Sequence, residues 1–154
     1  MIPEKLVEFI HGNTFIYIGA RNEKLQTTCN RVLGAKVNPD GDSFTCFIPK
    51  AAADKLVSYL EACNKYVVAM ATLPSYEAYQ FKGTCTSIRD ADNGELAQAQ
   101  AYLDKMVAFT SQFGIPEEFF GSFAVDPSIA ATIKVEEIYD QTPGPGAGKL
   151  IFPN

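Results

Sequence analysis

One histidine, four scattered cysteines and a shortage of basic side chains mark what this 154-residue sequence withholds. His11 stands alone, and Cys29, Cys46, Cys63 and Cys85 lie 17, 17 and 22 residues apart, with neither a CxxC pair nor a nearby histidine. A zinc centre needs clustered nitrogen and sulfur ligands, so that class is excluded. A disulfide framework needs an oxidising compartment. The sequence has no Asn-x-Ser/Thr acceptor, and Met1-Ile2-Pro3-Glu4-Lys5 is not expected to act as a secretory signal. The cysteines are therefore expected to pack as small apolar side chains. No stretch nears the ~20 apolar residues of a membrane-spanning helix, and the expected compartment is the cytoplasm. No Ser/His/Asp, Cys/His or paired-carboxylate arrangement can be specified, which leaves covalent and acid–base catalysis without candidates.

What is present fits one folded domain. Hydrophobic residues make up 47% and charged ones 20%, too apolar a mixture for a disordered chain. The net charge of −5 excludes a nucleic-acid coat, which needs surplus Lys and Arg to neutralise phosphates. That total hides an asymmetry. Residues 1–90 hold 10 basic and 9 acidic side chains, whereas residues 91–154 hold 3 and 9. Almost every cation therefore sits in the first part of the chain.

Periodicity divides the chain into alternating short elements. Leu6, Phe9 and Ile10 predict a helix over residues 3–10, opened by Pro3 and stopped by Gly12. Phe15–Ile18, Arg31–Val37 and Phe44–Ile48 read as strands. The Asn38-Pro39-Asp40-Gly41 turn joins the second and third into a hairpin. Ala52, Leu56, Tyr59, Leu60 and Cys63 then mark a helix from about residue 50 to 62. Strands follow over 66–71 and 76–89, the latter with Tyr79, Phe81 and Cys85 on one side and Gln80, Lys82 and Thr84 on the other. Asp92 and Glu95 form a capping pair for the longest helix, which Gly114 and Pro116 end, and a short helix is expected up to Gly121. Ala131, Ile133 and Val135 set the parity of a last strand. That parity breaks at Glu136-Glu137, where a bulge is expected. Six strands with hairpins and no βαβ units imply an α+β protein built on an antiparallel barrel.

Two motifs bear on ligands. The tail, residues 142–154, contains Gly146-Ala147-Gly148-Lys149 but lacks the GxxxxGK[ST] spacing and the following helix of a phosphate loop. It reads as a rigid extended tail that packs on the body or on a second subunit. Arg31 and Lys36 flank the second strand, while Lys50 and Lys55 lie at the start of the helix that follows the third. If those strands pair, the cations and a helix N-terminus converge on one edge and suit a phosphate. The alternative is four solvated surface cations.

These segments resemble, in order and kind, the pyridoxamine 5′-phosphate oxidase-like FMN-binding split-barrel family. The correspondence runs through the strand Arg31–Lys36, the strand Phe44–Ile48, the helix with Lys50 and Lys55, and Tyr79-Gln80-Phe81-Lys82-Gly83. Ile18-Gly19-Ala20-Arg21-Asn22 and Asp140-Gln141-Thr142-Pro143-Gly144-Pro145 are similar to a bacterial subgroup. The resemblance implies a single domain over residues 1–154, a six-stranded antiparallel split β-barrel with flanking helices, and a homodimer with FMN at the subunit interface. It places Arg31, Val32, Leu33 and Lys36 on the strand that contacts the flavin and its phosphate. Ile48, Pro49, Lys50 and Lys55 fall in the stretch that holds phosphate and ring, and Gln80 and Lys82 on the strand facing the isoalloxazine. Asp54-Lys55-Leu56 stands near where the oxidases proper carry Ser-Arg-Lys, and their Arg-rich substrate-phosphate end has no counterpart. Two functions follow from this reading. One is an FMN-dependent oxidoreductase. The other is a non-enzymatic split-barrel dimer that binds or senses a planar anionic ligand such as haem or another flavin.

Overall fold

The computed structural model describes residues 1–153, so Asn154 at the end of the tail lies outside the described residues. Eight strands form one curled antiparallel sheet. They are β1 (Thr14–Arg21), β2 (Thr27–Arg31), β3 (Ala35–Val37), β4 (Ser43–Pro49), β5 (Lys65–Thr72), β6 (Ala78–Asp90), β7 (Ser128–Asp140) and β8 (Lys149–Phe152). Their spatial order is β2-β1-β5-β6-β7-β4-β3, with β8 paired to the C-terminal half of β7. Helices α1 (Glu4–His11), α2 (Asp54–Cys63), α3 (Asn93–Ser111) and α4 (Glu118–Gly121) flank it. This is an α+β split barrel. Among the described residues no helix is long and apolar enough to cross a membrane.

The expected count of six strands becomes eight for two reasons. The run Arg31–Val37 is not one strand, because its hydrogen-bonding partner changes midway. The Val32 amide donates to Ile16 of β1 at 3.0 Å, and the Leu33 amide to Phe47 of β4 at 2.7 Å. One bent segment thus closes the barrel from β1 to β4. Gly34 makes the bend with φ +103°, and a Cβ there would sit 3.1 Å from the Cβ of Tyr102 on α3. Only glycine meets both demands without strain. The second addition is β8. The tail runs back along the body, and Tyr139 pairs with Leu150.

Elsewhere the register follows the pattern of side chains. The hairpin pairs Lys36 with Thr45, as the Asn-Pro-Asp-Gly turn predicts. On β6, Tyr79 and Phe81 point into the core and Gln80 and Lys82 away from it. The bulge falls at Glu136. Lys82 faces Glu137, Gly83 faces Val135, and Glu136 is the extra residue. The barrel interior is filled by Ile16, Ile18, Phe44, Val68, Phe81 and Ile133, all fully buried. Helix α3 starts with a complete capping box, in which Asp92 accepts from the Glu95 amide and Glu95 accepts from the Asp92 amide. Such a cap stabilises by about 1 kcal/mol.

Candidate functional site

Arg31 ends β2 on the outward face of the sheet, opposite Tyr17 of β1. Its side chain is nevertheless 9% exposed. The guanidinium carbon lies 5.1 Å from the ring centres of both Phe15 and Tyr17, 5.7 Å from that of Phe120 and 5.9 Å from that of Phe123. One nitrogen, Nη1, donates to the Tyr17 hydroxyl at 3.1 Å. The other two, Nε and Nη2, are buried without an acceptor among the described residues. Cation–π contacts offset part of the cost of removing this charge from water, but a buried guanidinium is normally met by a carboxylate. None of the ion pairs among the described residues includes it. The chemistry of the site is a planar donor fork suited to an anion. On the same side, burial drives the Tyr102 phenol up to about 12, with the Arg31 charge opposing the shift.

The remaining cations expected at the site have partners of their own. Lys36 is exposed and looks toward Glu95 at the start of α3, whose carboxylate it helps to keep ionised. Lys50 Nζ lies 2.6 Å from Asp90 Oδ1. Both lysines therefore meet the junction between β6 and α3. Arg89 also reaches that junction, with a two-pronged contact to Glu95 at 2.7 Å on each oxygen. Lys55 extends over the ring of Tyr59, 5.5 Å from its centre.

The helix expected over residues 50–62 is divided. Lys50–Ala52 forms a separate 3-10 turn before α2 begins at Asp54, and no side chain caps either element. The Asn30 side-chain amide donates to Ala52 at 2.7 Å and ties β2 to this turn. Asn30 and Arg31 point to opposite faces of β2, so Arg31 faces away from the start of α2. Val32, Leu33 and Ile48 are fully buried in the barrel wall, and Pro49 pairs with Ser128 on β7. Those four act through backbone and packing.

Gln80 and Lys82 share the outward face with Arg31. Register places Arg31, Tyr17, Ala69, Gln80 and Tyr139 in one row across β2, β1, β5, β6 and β7. Three strand spacings separate Arg31 from Gln80, roughly 14 Å. Lys82 Nζ sits 4.3 Å from the ring centre of Tyr139, and the Tyr139 hydroxyl donates to Glu137 at 2.8 Å. Between these ends lies an open cleft of about 550 Å³, lined among others by Tyr17, Gly19, Cys29, Val67, Ala69 and Gln80.

Sequence reasoning missed the floor of this cleft and the rings over Arg31. A signal for the floor existed. Tyr66-Val67-Val68-Ala69-Met70-Ala71 contains no polar residue, which marks a strand apolar on both faces. The placement of Phe120 and Phe123 depends on how the segment after α3 folds back, and no local pattern encodes it. The aromatics of residues 76–81 separate. Tyr79 and Phe81 are core, while Tyr76 is exposed at φ +58°. His11 Nε2 accepts the Val37 amide at 3.2 Å, and burial together with the Lys105 charge lowers its pKa. Among the described residues no cluster of three or more His, Cys, Asp or Glu side chains is placed to hold a metal.

Comparison with solved structures defines the class. HupZ of Group A Streptococcus is similar in fold at a TM-score of 0.58 and 18% identity, covering 96% of this chain and 100% of its own. An FMN-binding protein of Syntrophomonas wolfei is similar at a TM-score of 0.56 and 15% identity, covering 89% of this chain and 84% of its own. A candidate pyridoxamine 5′-phosphate oxidase of Lactobacillus delbrueckii is similar at a TM-score of 0.56 and 12% identity, over 90% and 93%. No protein-family model matches the sequence, and no curated protein does. The chain therefore shares the split-barrel fold of these proteins. At such identities the fold is what is shared.

Proposed function

We propose that this protein is a flavin-binding split-barrel protein of the pyridoxamine 5′-phosphate oxidase-like family, a homodimer that holds FMN between its subunits. The observation that carries the reading is Arg31, a buried guanidinium with two donors unmet on the strand position where the family contacts flavin phosphate. A phosphate dianion supplies the acceptors that the chain withholds, and charge-assisted bonds of that kind are the strong ones. Lys50 is paired with Asp90 and Lys55 lies over the Tyr59 ring, at the start of α2 from which Arg31 faces away, so the reading rests on Arg31. Gln80 and Lys82 stand across the cleft as donors for the ring. The apolar cleft floor between them, with Tyr17 41% exposed, is the surface a second copy would cover.

Bound FMN supplies hydride and single-electron chemistry of its own. The chain's contribution is then binding, orientation and exclusion of water, in keeping with the lack of an acid–base constellation. A non-enzymatic dimer holding haem is the second reading. The engaged Nε2 of His11, the only histidine, speaks against a histidine-ligated iron.

The test is direct. The purified protein is examined by visible spectroscopy, then titrated with FMN while flavin fluorescence is followed. A yellow preparation, or saturable quenching at one FMN per chain, supports the proposal. A colourless protein that takes up no FMN overturns it.

A further inference from the structure

The segment that covers Arg31 is fastened differently from the rest of the molecule. From Pro116 to Ala124, every backbone hydrogen bond among the described residues closes within the segment: Phe119 to Pro116, Phe120 and Gly121 to Glu117, and Phe123 to Phe120. None of its side chains forms a hydrogen bond or an ion pair among the described residues. Helix α4 is a single turn without a side-chain cap. What holds the segment down is apolar. Phe120 is 1% exposed, whereas its neighbour Phe119 points outward at 52%. Two of the four rings around the Arg31 guanidinium, Phe120 and Phe123, belong to this segment. The other two, Phe15 and Tyr17, are on β1 and fixed in the sheet.

An anion able to satisfy Nε and Nη2 of Arg31 has to approach a guanidinium that Phe120 and Phe123 help to seal. Removing them separates no hydrogen bond and no salt bridge, and it gives an unpaired charge its partner. A segment with no polar tie to the body can part from it at the cost of apolar burial alone, as local openings do. We propose that Pro116–Ala124 is a displaceable aromatic cover. In the free protein Phe120 and Phe123 occupy Arg31, and a bound phosphate group takes their place and releases the segment. The inference rests on Arg31 being the phosphate ligand. The linkage is reciprocal: whatever loosens the cover tightens ligand binding by the same factor.

The experiment compares wild type with Phe120→Ala/Phe123→Ala, and with Phe120→Leu/Phe123→Leu, which keeps apolar bulk without rings should the alanine pair fail to fold. FMN, riboflavin and inorganic phosphate are the probes. Flavin fluorescence gives affinity and stopped-flow association rate, and hydrogen exchange over residues 116–124 of the wild type reports the cover. The expected result is association at least tenfold faster in the ring-deficient variant. In the wild type, exchange over 116–124 should increase on saturation with FMN and with inorganic phosphate, and not with riboflavin. An increase with FMN alone would assign the displacement to the intact nucleotide instead of its phosphate, and would support the cover. FMN binding with unchanged rates and unchanged exchange overturns the cover and leaves flavin binding standing. Failure of wild type and variant alike to bind FMN or phosphate overturns both.

Discussion

Gly83 is the position where one methyl group should cost most. It lies on β6 beside the bulge, paired with Tyr66 on β5 and Val135 on β7. A Cβ there would penetrate the Lys134 carbonyl oxygen, by more than about an ångström relative to the roughly 3.3 Å of close C···O contact. It would also lie 3.0 Å from the Glu136 nitrogen. Both obstacles are main chain, so no rotamer relieves the clash. The Lys134 carbonyl also accepts the hydroxyl of Tyr66 at 3.1 Å, and Tyr66 is 5% exposed. Moving the carbonyl leaves that phenol unpaired, at about 1–3 kcal/mol. Parting β6 from β7 adds the loss of one or two ladder bonds, about 1 kcal/mol each. Gly83→Ala should therefore destabilise by about 2–5 kcal/mol, a large share of the roughly 5–15 kcal/mol of an ordinary domain. For a chain of this size that is a fall in Tm of about 4–20 °C. Urea and thermal denaturation followed by circular dichroism measure it, with Gly121→Ala as control, since a Cβ there meets nothing within 4 Å. A Gly83→Ala variant that melts within about 2 °C of wild type would refute the account of the bulge.

Arg31→Met tests the orphaned guanidinium, because its two effects should have different signs. Affinity for FMN should fall by roughly 10- to 100-fold for the loss of a charge-assisted contact. Stability of the free protein should hold or rise, since an unpaired charge leaves the interior; equal losses in calorimetry and titration would contradict this. Glu95→Gln should destabilise by about 1 kcal/mol, because the carboxylate serves both Arg89 and the capping box. The Glu95 pKa is lowered, first by Arg89. Its contribution is thus full above the unfolded carboxylate value and is lost as pH falls through the folded one. The stability difference between wild type and Glu95→Gln should shrink on acidification below about pH 4.5, as denaturant melts across pH 3–7 will show. Gly34→Ala should also be costly, by about 1–3 kcal/mol from left-handed φ and contact with Tyr102, and urea midpoints provide the check.

Local chemistry explains which features were readable in advance. The Asn-Pro-Asp-Gly turn, the Asp92–Glu95 cap and the parity break at Glu136 each rest on residues within a few positions of one another. Each appears where the sequence places it. The bend at Gly34 was not readable, because a strand that changes partners keeps its composition while its neighbours change. The tail strand β8 escaped for a related reason. Its Pro/Gly-rich approach reads as extended chain, and the edge it joins lies on β7. At the site, the residue types of Arg31, Lys36 and Lys50 were legible. Their partners were not, since Asp90, Glu95, Phe120 and Phe123 reach them only through tertiary folding.

The bend has one more consequence. In a straight strand, residues five apart point to opposite faces, so Arg31 and Lys36 would be divided by the sheet. The left-handed turn at Gly34 shifts the alternation by half a period. Both cations then look toward α3, Arg31 beside Tyr102 and Lys36 toward Glu95. Those two helix positions are seven residues apart, roughly 10 Å along the axis. The five-residue spacing is thus a phase relation that holds only with the kink in place. Deleting one residue between Val32 and Ala35 would turn Lys36 into the barrel without altering its chemistry.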